Sequence, residues 1–205
     1  MSVGVDVLVV GAGIFVGRWI GRAIRARRSA AEVEQTPSKP IGPIDAEPES
    51  LAAFPCQVGD VVVRTFERDE AWLAGALVFA DQKPEAALFI APEAGTDRAL
   101  LVHPEETTLV WLAPLAKEEL ALTEEPPLAL EHAAVHYQRA RRLPVRVSAQ
   151  GQGAPDVGPR AILAEYTGAG SQRLVVVAGT GQTLAWRGVA LASGEYDILP
   201  CGKPQ

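Results

Sequence analysis

Residues 161–186, AILAEYTGAGSQRLVVVAGTGQTLAW, decide the fold class of this chain. Three apolar runs, Ala161–Thr167, Leu174–Ala178 and Thr183–Trp186, are separated by Gly-Ala-Gly-Ser and Gly-Thr-Gly. Each run is too short for a stable helix, the middle one is valine-rich, and glycine turns bound all three, which is the signature of consecutive strands. The same texture continues on both sides. Upstream lie Val58–Phe66, Ala71–Ala80, Ala86–Ala91, Ala99–His103 and Thr107–Leu112, with turn-like Asp81–Pro84 and Pro92–Asp97 between them. Leu143–Ala149 precedes the quoted stretch, and Val189–Leu191 and Tyr196–Leu199 follow it. Short strands at close spacing predict a mainly β protein, barrel or sandwich-like. The stretch from Ala71 to Pro114 echoes the stretch from Arg160 to Pro200, so we read two duplicated β units, residues 54–115 and 143–202.

Between them, residues 116–142 form an acidic, helical connector. Residues 116–127 end at Pro126-Pro127 and are a short helix or a loop. Leu128–Arg142, LALEHAAVHYQRARR, has apolar residues at 128, 130, 134, 135 and 137, basic residues in its last turn and Pro144 just beyond, which predicts the one short middle helix.

The front of the chain differs. Residues 1–28 are basic and glycine-rich, with five arginines against one aspartate, which leaves 14 of the 19 basic and 24 of the 25 acidic residues to positions 29–205. The acidic body repels phosphate backbones and argues against nucleic acid as its partner, whereas the basic front suits an anionic membrane surface. Val3–Ile24 as a helix would span about 33 Å. Arg18, Trp19 and Arg22 would sit at the interface, and Gly13, Gly17 and Gly21 form a smooth stripe for helix packing or homo-oligomer formation. Arginines after the apolar run predict a body on the cytoplasmic side of the inner or plasma membrane; a packed helix of a cytoplasmic protein is the alternative. Residues 29–53, with Pro37, Pro40, Pro43 and Pro48, are a tether.

The residues Val58-Gly59-Asp60-Val61-Val62, Ala164-Glu165-Tyr166, Trp186-Arg187-Gly188 and Glu195–Pro200 give residues 54–201 a loose likeness. This part of the chain resembles an uncharacterised bacterial family of domains of unknown function. The resemblance implies no chemistry and no functional residue.

Few residue constellations point to chemistry. Gly11, Gly13 and Gly17 could cradle a pyrophosphate, but a proline-rich linker follows where a second βα unit is needed. His132 and His136 would share one face of the middle helix at metal-ligand spacing, without a third ligand in the sequence. His103-Pro104-Glu105-Glu106 holds a base beside acids but no nucleophile. Cys56 and Cys201 are too few for a disulfide framework and lack zinc spacing. Arg139, Arg141 and Arg142, with Arg146 beyond them, are the candidate partner-binding cluster. Trp72, Trp111 and Trp186 are expected in the core. No cofactor is expected. These readings favour a non-catalytic, membrane-associated interaction module that binds a protein partner. The alternatives are a soluble structural subunit, or an enzyme using a nucleotide at Gly11/Gly13/Gly17 or a metal at His132/His136.

Overall fold

The computed structural model describes residues 51–67, 69–93, 97–120 and 125–201. The chain divides into two units, Met1–Ile44 and Asp45–Gln205, and everything described belongs to the second. The helix expected over residues 1–28, with its glycine stripe and arginines, and the linker up to residue 50 lie outside the described residues.

A 3-10 turn, Leu51–Ala53, precedes the strands β1 (Val61–Arg64), β2 (Glu70–Trp72), β3 (Gly75–Ala80), β4 (Pro84–Ala91), β5 (Arg98–Val102), β6 (Leu109–Pro114), β7 (Ala129–His132), β8 (Val135–Gly151), β9 (Arg160–Thr167), β10 (Gln172–Gly179), β11 (Thr183–Leu191) and β12 (Tyr196–Leu199). The protein is mainly β, as its alternating short runs require. Two antiparallel meanders, β3-β4-β5-β6 and β8-β9-β10-β11, join through β6–β11 and β3–β8 into a closed eight-stranded barrel. The strand β7 extends the sheet as a hairpin on the N-terminal part of β8, and β12-β1-β2 form a separate three-stranded sheet. Residues 54–115 and 143–202 therefore both contribute strands to each sheet, since β1 pairs with β12 as well.

The period-2 alternation sorts side chains onto two sides of the barrel wall. Phe79, Leu88, Leu101, Leu112, Leu163 and Trp186 point inward and pack into one cluster. Their neighbours in sequence point outward and are covered twice. Val78, Phe89, Leu100 and Trp111 pack under Phe54, Val62 and Ala71 of the three-stranded sheet and its lead-in. Ala164, Tyr166, Leu174 and Val176 pack under Leu120 and Tyr137, with Leu130 against them. Each fully buried Leu or Phe of these layers contributes roughly 1.5–3 kcal/mol relative to exposure. Gly188 makes one close approach workable: a Cβ there would collide with the Trp111 carbonyl across the β6–β11 seam.

The expected middle helix over Leu128–Arg142 does not form. That stretch is β7, a two-residue turn at Ala133-Ala134, and the start of β8, with His132 paired to Val135. Ala133 and Ala134 have φ of 49° and 61°, the left-handed pair that a tight hairpin turn demands. Alanine carries no sign of such a turn, and its high helix propensity points the other way. Burial of Tyr137 against Ala164, Tyr166 and Leu174 outweighs that propensity.

Two β-bulges interrupt the register of the barrel strands. Phe79 pairs with Ala86 and Ala80 with Pro84, which leaves Glu85 as the extra residue of β4. Arg139 pairs with Tyr166 and Arg141 with Glu165, which leaves Ala140 extra on β8. A bulge shifts the side-chain alternation by one and re-aims the residues beyond it.

Candidate functional site

The β8 bulge splits the arginine cluster expected to bind a partner. Before it, odd-numbered side chains such as Tyr137 face the outer layer; after it, odd-numbered Val145 faces the barrel interior. Arg139 and Arg142 consequently stay outside and share Glu125. Arg142 Nε and Nη2 donate to its two oxygens at 2.8 and 2.9 Å, and Arg139 Nη1 lies 3.9 Å away while donating to the Pro126 carbonyl. Arg142 holds the Glu125 carboxyl below its usual range through that hydrogen bond. Arg141 alone turns to the barrel mouth, where Nη2 donates to Glu85 Oε2 at 2.7 Å. The three residues do not form one surface patch.

At the mouth, Glu85 and His103 from one meander meet Arg141 and Glu165 from the other. His103 is 7% exposed. Its Nε2 lies 3.1 Å from Glu165 Oε2 and its Nδ1 2.9 Å from the Glu85 carbonyl. Both partners are acceptors, so the imidazolium, with two N–H groups, satisfies both at once. Burial lowers the His103 pKa, but the Glu165 hydrogen bond and charge, the Glu85 carbonyl and the Glu106 charge outweigh it and the net shift is upward. Arg141 Nη1 lies 3.3 Å from Nδ1 and donates to it only in the neutral tautomer that carries its proton on Nε2. Glu165 Oε1 has no hydrogen-bond partner among the described residues and lies 3.9 Å from Arg141 Nη1. The sequence drew attention to His103 beside Glu105 and Glu106; Glu106 acts on the ring by its charge, and the hydrogen-bond partners come from β4, β8 and β9, far along the chain. Both ring nitrogens are engaged, and the His103–Glu165 and Arg141–Glu85 contacts tie the two meanders together.

His132 and His136 do not converge. On the hairpin, His136 pairs with Glu131 and is largely exposed, while His132 is largely buried, with Nε2 3.7 Å from Glu119. No group of three potential metal ligands occurs among the described residues. Cys56 is buried and Cys201 exposed, both as free thiols. Asp60 ties the segments around them, accepting from Gln57 N at 2.8 Å and Cys201 N at 3.1 Å. Trp111 and Trp186 are buried as expected, and Trp72 is not.

Trp72 belongs to a surface that sequence reasoning passed over. The three-stranded sheet buries Val62 and Ala71 inward, so Val61, Val63, Trp72 and Leu199 face out. Leu199, Val61 and Trp72 stand directly opposite one another across β12, β1 and β2. Trp72 is 52% and Leu199 54% exposed. The next row along the same face is Asp197, Val63 and Glu70, with both acids exposed. Phe66, in the turn between β1 and β2, is 80% exposed. The signal was a short strand pair with apolar residues on both of its faces, VVVR beside EAW.

No helix of the described residues is long and apolar enough to cross a membrane. No family model, curated protein or solved structure matches the chain.

Proposed function

We propose that this protein is a non-catalytic interaction module that docks a protein partner on the outer face of its three-stranded sheet. The observation that carries the reading is the in-register row Leu199–Val61–Trp72, with two large apolar side chains half exposed at its ends. An aromatic anchor beside aliphatic neighbours, rimmed by charge, is the usual make-up of a docking centre. The acids Glu70 and Asp197 on the adjacent row select a partner with an apolar centre and a basic rim. Attachment to the membrane through residues 3–24, with the body in the cytoplasm, is the second half of the proposal and rests on the sequence pattern of those residues.

Trp72→Glu and Leu199→Glu in one chain test the docking half. In extracts of cells that make the protein, the wild type is expected to co-migrate with a partner in a larger complex, and the folded double variant to elute free. Equal elution of the two chains would refute the docking face. Deletion of residues 1–28 is expected to release the body from the membrane fraction; unchanged fractionation would refute the anchor.

A further inference from the structure

A groove of about 810 Å³ crosses the outside of β8, β9 and β10, on strands that the proposed docking face does not include. Its lining is arranged in two rows by strand register. Pro144, Ile162 and Ala178 stand opposite one another and form an apolar row. One step along, Arg146 and Arg160 stand directly opposite each other, and Thr180 lines the same end of the groove. Like charges directly opposed across two strands are destabilising, and both of these side chains are exposed. Arg146 Nη2 donates to the Asp81 carbonyl at 2.8 Å, whereas the Arg160 side chain has no hydrogen bond or ion pair among the described residues. Asp81 is the one acid of the lining, so its charged groups sum to a single positive charge. The volume falls within the range of small-molecule sites.

We propose that this groove binds a small organic anion, with a phosphate or carboxylate head between Arg146 and Arg160 and an apolar body across Pro144, Ile162 and Ala178. Two guanidinium groups on directly opposed residues suit a planar or tetrahedral oxyanion. Bound there, the anion complements the net positive charge of the lining.

Ligand-observed magnetic resonance with the full-length chain tests this, with phenyl phosphate and benzoate as probes of the whole ligand, inorganic phosphate as head alone and benzyl alcohol as body alone. Saturable binding of phenyl phosphate or benzoate is expected, tighter than either half, and weakened about tenfold or more in Arg160→Gln and in Arg146→Gln. Binding of one probe and not the other identifies the head and supports the site. Absence of saturable binding by both probes up to about 10 mM would overturn the proposal, as would equal binding by wild type and Arg160→Gln. A near-ultraviolet circular dichroism spectrum unchanged in Arg160→Gln ensures that a loss is read as loss of the site. The outcome is independent of the Trp72 face, which neither substitution touches.

Discussion

His103 is held between acceptors on both sides, Glu165 Oε2 at 3.1 Å and the Glu85 carbonyl at 2.9 Å. Its pKa in the folded state is raised above the ordinary value of 6.5. A group whose pKa is raised by folding binds its proton more tightly in the native state, so it contributes stability that is complete below the unfolded value. That contribution fades as pH rises from 6.5 through the raised native value. We therefore expect the denaturation midpoint of the wild type to fall across this window, and that of His103→Gln to lack this component. Parallel pH profiles of the two chains would contradict the imidazolium clamp. The cysteines offer a second check at this scale. Burial, helped by the Asp60 charge, pushes the Cys56 thiol up to about 12, and Cys201 is exposed. The thiolate is the reactive form. Iodoacetamide at mildly alkaline pH is expected to modify Cys201 and spare Cys56 until the protein is unfolded, and mass spectrometry of the intact chain counts the adducts.

Among the elements, the β7–β8 hairpin shows best what the sequence withheld. Strands bounded by glycine or proline were legible: β3, β4, β9 and β10 fall close to the expected runs, because their turns are marked. The turn at Ala133-Ala134 is unmarked, and His132-Ala-Ala-Val-His136 mimics helical spacing. Left-handed backbone at a non-glycine residue costs roughly 1–2 kcal/mol. Replacing the pair, Ala133→Asn with Ala134→Gly, is expected to stabilise the protein by about 1–2 kcal/mol, read as a shift in denaturation midpoint. A destabilised variant would contradict the hairpin. The bulges explain the fate of the arginines in the same terms. The pattern Arg139, Arg141, Arg142 reads as one cluster on a helix, yet the extra residue Ala140 sends Arg141 inward and leaves its neighbours with Glu125. A one-residue bulge has no sequence mark of its own, and it reverses every side chain beyond it.

For the whole molecule, barrel closure covers most of what the strand pattern exposes. The β3–β8 seam leaves the barrel without free edges there, and the flanking layers bury its outer apolar side chains. The three-stranded sheet is itself one of those layers, so its inner face was legible as core. Its outer face was not, because Trp72 lies within an apolar run that continues straight into β3. Only the pairing of β2 with β1 and of β1 with β12 shows that Trp72 and Leu199 share an exposed row with Val61. Placing a photo-crosslinking amino acid at Trp72, in cells that make the protein, tests that row most directly, with the same group at Glu93, on the loop after β4, as the control. One discrete adduct is expected from position 72, lost when Leu199 is changed to Glu and absent from position 93. Adducts that are the same from both positions, or that persist with Leu199→Glu, would contradict the docking face.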